Sequence, residues 1–208
     1  MNARIRVALV AALSSLGLAL AVPMAHANVL SLLSPCSSET YSHPFAQWGD
    51  NADYTSIPGG SFEGGTAPWL LTGGAAVSDG NESYNVGNAR DAKSLALPAG
   101  SSATSPAQCT GIDHPTMRFF VRNQGSSSSR LRVDVLYPGL LGAVRSETLG
   151  YIGGTADWQP SNTQGLLIGN LMSTLSLSRT VIAFRFTPAD ASGKWSIDDT
   201  YLDPYRRG

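Results

Sequence analysis

Three groups of side chains in this sequence could do chemistry. Cys36 and Cys109 are the only two cysteines in the chain. An even count in an exported chain reads first as a disulfide, with a pair of buried free thiols as the alternative. The second group is acidic: Glu63 near the start, and the adjacent Asp198 and Asp199 near the end. On a regular strand Asp199 shares a side with Trp195 and Ile197 and turns inward with them. A buried carboxylate needs a cation or several hydrogen-bond donors. The third group is Arg118, Phe120, Arg132, Asp134 and Arg185, which alternate with apolar residues in three strand-like runs. Planar guanidinium and aromatic groups beside a carboxylate acceptor can stack on a sugar and hydrogen-bond to it. The plainer reading is a solvated face with cross-strand charge pairs, each contributing about 0.2–1 kcal/mol.

Catalytic signatures are missing. There is no Gly-x-Ser-x-Gly elbow for a nucleophile and no glycine-rich loop opening a helix for a nucleotide. His43 and His114 each precede a proline in loop-like sequence, which reads as structural. Glu63, Asp134 and Glu147 could pair across a sheet as glycosidase carboxylates do, but a sandwich with many acids offers such pairs by chance. The reading is therefore not an enzyme. The net charge of −1 also argues against a nucleic-acid partner, because phosphate neutralisation needs a strongly basic surface.

The elements that must position these groups are strands. Residues 1–27 read as a signal peptide: a basic start with Arg4 and Arg6, an apolar run to about Val22, then Ala25-His26-Ala27 for cleavage. The run is too short for a comfortable membrane span, so the mature chain is expected to be secreted or extracellular, with no span after cleavage. Residues 28–57 are irregular and carry Tyr41, Phe45, Trp48 and Tyr54, which suggests an extension tethered by Cys36 and wrapped over the domain. Residues 58–208 then give short strands separated by turns. Ser61-Phe62-Glu63 reads as a short strand, 78–92 as a polar loop and 101–115 as another. The alternation is clearest in Thr116–Arg122, Arg130–Tyr137 and Thr180–Thr187, where apolar side chains fall on one side with period two. The segment 165–175 reads as strand, and Lys194–Leu202 closes the domain. Many short strands with frequent turns, and no sustained helical period, predict an all-β antiparallel jelly-roll sandwich.

The most specific residues lie at the two ends of that domain. Gly60-Ser61-Phe62-Glu63-Gly64-Gly65 is followed by Pro68-Trp69, and the terminal strand reads Lys194-Trp195-Ser196-Ile197-Asp198-Asp199. Phe-Glu, a following Trp, an Arg-Phe strand and a terminal Trp-x-Ile-Asp-Asp resemble carbohydrate-binding modules of the galactose-binding-like jelly-roll type, from Phe62 to Asp203. The chain also resembles a group of uncharacterised secreted bacterial proteins of similar length. The first resemblance implies a non-catalytic protein whose partner is an extracellular polysaccharide; alternation makes the face with Arg118, Phe120, Arg132, Asp134 and Arg185 the place where it would lie. It also implies a structural calcium near Glu63, Asp198 and Asp199, an ion that takes six to eight oxygen ligands. The alternatives are a structural or protein-interaction sandwich of the cell envelope, and aspartates that cap loops or pair with arginine.

Overall fold

The structure, a computed structural model, describes residues 39–139, 143–166 and 180–204. The signal-peptide reading, Cys36 and most of the segment 165–175 lie outside the described residues.

The described chain forms an antiparallel jelly-roll sandwich. One sheet holds β1 (Thr55–Ser56), β3 (Ala76–Asp79), β4 (Lys93–Pro98), β7 (Thr116–Asn123), β10 (Gln159–Pro160), β11 (Gln164–Gly165) and β13 (Lys194–Asp203). Its order is β10-β7-β13-β4-β3, with β1 on β13 and β11 on β7. The second holds β2 (Leu70–Thr72), β5 (Ser102–Thr104), β6 (Gln108–Thr110), β8 (Leu131–Pro138), β9 (Val144–Ile152) and β12 (Thr180–Pro188), in the order β2-β5-β12-β8-β9 with β6 also on β12.

The period-two pattern explains the main core. Met117, Phe119 and Val121 from β7 meet Leu131, Val133 and Val135 from β8 and Ile182, Phe184 and Phe186 from β12. Trp195 and Ile197 of β13, Leu95 and Leu97 of β4, and Phe62 with Trp69 belong to the same cluster. Burying one large apolar side chain stabilises by about 1.5–3 kcal/mol, which is what fixes the register of each strand.

A second cluster lies on the other face of the first sheet. Phe45, Tyr54, Phe120, Trp158 and Tyr201 are buried there, with Trp48, Ala52 and Val86 packed against them. The segment 39–57 therefore lies over this face. It is held by β1 on β13 and by Glu39, whose Oε1 is 2.9 Å from Nε2 of the fully buried His114, and the Ser42–Tyr54 bridge closes the segment on itself.

Three local expectations are corrected. Ser61–Glu63 is turn rather than strand, with Phe62 at φ 59° and its ring in the core. The loop 101–115 contains β5 and β6, three residues each and mostly Ser, Thr and Gln, too short and polar to show a period. The turn after β7 does not make β7 and β8 neighbours: it carries the chain from one sheet to the other.

Candidate functional site

That crossing divides the predicted ligand face. Arg118 and Phe120 sit on β7 in the first sheet, whereas Arg132 and Asp134 on β8 and Arg185 on β12 belong to the second. The two sets do not share a surface. Phe120 is 0% exposed; its ring packs against those of Phe45 and Trp48, with centroids 5.3 and 5.5 Å away. Arg118 is spent inside the protein. Its Nη1 donates to Asp50 Oδ2 at 2.6 Å and its Nε to the Ser161 carbonyl at 3.0 Å, and its guanidinium stands 4.1 Å over the Phe45 ring. The outer face of the first sheet thus offers neither residue to a ligand.

Among the described residues, the outer face of the second sheet carries exposed side chains. Strand register aligns Leu70, Thr104, Arg185, Asp134 and Thr148 in one row across it, and Thr187, Arg132 and Tyr151 in the next. Asp134 is buried at the centre. Its Oδ2 accepts from Arg132 Nε at 3.1 Å and from Arg185 Nε and Nη2 at 3.3 and 3.1 Å, and its Oδ1 from Thr148 Oγ1 at 2.8 Å. The side chains of Arg132 and Arg185 remain 35% and 32% exposed. Beside Arg132, Tyr151 is 60% exposed. Sequence alternation does not single out Tyr151, which follows Leu149 and Gly150 and precedes Ile152 in β9. Glu147 pairs with Val135 and so takes the opposite parity to Asp134, and Glu63 lies in the turn after β1. The structure does not bring these three acids together as a catalytic pair.

The acidic residues gather at the other sheet. Register in β13 shifts between Asp198 and Tyr201, and Asp199 stands at φ 43° in that irregularity. A bulge inserts an extra residue and re-aims side chains, so the parity argument for Asp199 fails at its own position. A side chain on Gly87 would begin 2.8 Å from Asp91 Oδ2 and 3.1 Å from Asp199 Oδ1, so these two carboxylates close on the space above that glycine. Glu63, Asp91 and Asp199 all line one cleft of about 420 Å³, together with Ser42, Ser56 and Gly87. Asp199 is 4% exposed and its Oδ2 has no hydrogen-bond partner among the described residues. Burial first, then the charges of Glu82 and Asp91, push its pKa up to about 7.

Asp198 faces elsewhere. It pairs with Phe120 in register, and its oxygens accept the amides of Glu82 and Asp199, each at 2.9 Å. Burial and the neighbouring Asp199 raise its pKa to about 9. Glu82, also buried and also unforeseen, binds the Tyr84 and Val86 amides at 2.5 and 2.7 Å and so shapes the loop carrying Gly87 and Asp91. The predicted trio thus keeps Glu63 and Asp199 on one cleft, while Asp91 lines it with them and Asp198 does not. Among the described residues no three His, Cys, Asp or Glu side chains form a ready metal group. A calcium here would draw further oxygens from carbonyls and water, as this ion ordinarily does.

Cys109 lies on β6 opposite Val181, and no described cysteine is free. No described helix is long and apolar enough to cross a membrane.

Compared with family models and with curated proteins, the chain matches none. Solved structures do match. The xylan-binding domain from CBM 22 is 17% identical, over 70% of this chain and 93% of that one, with a TM-score of 0.45. The CBM22-1 xylan-binding domain from Paenibacillus barcinonensis Xyn10C is 11% identical over 83% and 100%, with a TM-score of 0.47. TmCBM61 in complex with beta-1,4-galactotriose is 18% identical over 71% and 97%, with a TM-score of 0.39.

Proposed function

We propose that this chain is a secreted, non-catalytic protein that binds extracellular carbohydrate on the outer face of its second sheet. The observation carrying this reading is the juxtaposition of Arg132 and Arg185, both half-exposed and held on buried Asp134, with the exposed ring of Tyr151 alongside. A sugar ring has an apolar face that can lie on an aromatic ring and hydroxyls that accept from guanidinium donors. The guanidiniums are fixed by a shared carboxylate, so little rotamer freedom is lost when a ligand arrives. The signal-peptide pattern of residues 1–27 supports the export part of this reading.

Calcium at the cleft of Glu63, Asp91 and Asp199 belongs to the same reading. The orphaned Asp199 oxygen and the crowding of like charges fit a divalent cation. Such an ion would neutralise the carboxylates and tie the turn after β1 to the loop before β4 and to β13. Its part in this reading is structural.

The test is affinity electrophoresis of the mature chain through gels containing soluble polysaccharides. Retardation that disappears in Tyr151→Ala, with an unchanged melting temperature, is expected. Uniform migration across a broad set of glycans would end the carbohydrate reading.

A further inference from the structure

We infer that the outer face of the second sheet selects glycans carrying carboxylates, that is, uronic acid units, an inference that rests on the carbohydrate reading above. The two rows described there contain three charged side chains, Arg132, Arg185 and Asp134, and so carry a surplus of one positive charge. The surplus faces outward. Asp134 is buried and has both oxygens engaged, one by the two arginines and the other by Thr148. Withdrawn from solvent and paired with two guanidiniums, it offers an incoming anion little repulsion.

The guanidiniums are not exhausted by Asp134. Arg132 reaches it through Nε alone, which leaves its two terminal amino groups unengaged among the described residues; Arg185 keeps Nη1. These outward donors suit the paired oxygens of a carboxylate, the geometry in which arginine binds most strongly. Next to Arg132 in register on one side stands Thr187. Tyr151 flanks Arg132 on the other side and supplies the apolar platform. A ligand with a ring and a carboxylate uses every one of these features, whereas a neutral sugar leaves the surplus charge unanswered.

The experiment compares four polymers in affinity gels with the mature chain: polygalacturonate, its methyl ester, neutral xylan and polyglutamate. The ester keeps the sugar and removes the charge; polyglutamate keeps the charge and removes the sugar. Polygalacturonate should retard the protein at least about tenfold more strongly than any of the others, the size of one charge-assisted hydrogen bond. Arg132→Gln, which leaves Arg185 on Asp134, should remove most of that preference. Equal retardation by the ester or by xylan overturns the carboxylate preference and leaves the carbohydrate reading standing. Equal retardation by polyglutamate overturns it as well, and retardation by none of the three glycans removes both. Because the comparison varies the ligand, it holds even if the variant folds poorly.

Discussion

The ring of Phe45 lies stacked on that of Phe120, with centroids 5.3 Å apart and planes 18° from parallel. This contact joins the segment before the sandwich to the outer side of β7 and makes the first sheet buried on both faces. Phe120→Ala should destabilise by about 3–5 kcal/mol, as large aromatic truncations in cores do. A double-mutant cycle with Phe45→Ala should return a coupling of about 1 kcal/mol. Denaturant unfolding gives both numbers, and glycan retardation should be unaffected while the protein is folded. A cost under about 0.5 kcal/mol would contradict this packing.

Asp50 governs acid sensitivity in the same segment. Burial is the largest single influence on it and raises its pKa. The Tyr54 hydroxyl, the Ala52 amide and Arg118 together outweigh burial and leave the carboxyl below its usual range. A group depressed in the folded state stabilises above its unfolded pKa of about 3.9 and loses that contribution as pH falls through the folded value. Asp50→Asn should therefore cost about 2 kcal/mol near neutrality. The gap to the parent protein should close below about pH 4. Unfolding free energies at several pH values decide it; a gap independent of pH would remove Asp50 from the account.

Calcium should raise the melting temperature of the mature protein, and a chelator should lower it. A ligand that binds only the folded state adds about 2.7 kcal/mol at a hundred times its dissociation constant. Asp199→Asn should abolish the response, while Asp198→Asn, whose oxygens serve backbone amides, should lower stability yet keep it. Identical melting with calcium and chelator, and no metal by elemental analysis, would dismiss the ion.

A Cys36–Cys109 bond is the fourth expectation. Closing a loop of that length stabilises by about 4 kcal/mol on chain-entropy arithmetic. Intact-mass measurement of the unreduced mature protein should find the two-hydrogen deficit, and reduction should lower stability accordingly. Two alkylatable thiols would refute the bond.

Much of the fold could be read from alternation. Met117, Phe119 and Val121, and likewise Val133, Val135, Phe184 and Phe186, declare an apolar side, and the structure packs that side inward. Alternation says which side of a strand is buried, but not which sheet receives it. That is why Arg118 and Arg132 were placed together when they lie in different sheets. Phe120 failed for a second reason: the opposite side of β7 is also buried, under residues whose sequence shows no period. At Asp199 the bulge breaks the rule itself. Asp91 and Glu82 sit in a polar loop where an acid ordinarily means solvent, and only the fold around Gly87 distinguishes them.

The position of β13 bears on how the chain can fold as it is made. This strand pairs with β1, β4 and β7, yet it is the last strand of the described chain. No shorter nascent chain can close the first sheet, because its middle is missing until residue 203 has been synthesised. The pairings that finish the domain are far apart in sequence, a topology that folds slowly and late. A chain of this design stays open during synthesis, with the apolar sides of β4 and β7 waiting for a partner. Carboxy-terminal truncation before Lys194 should therefore yield aggregate rather than a smaller domain.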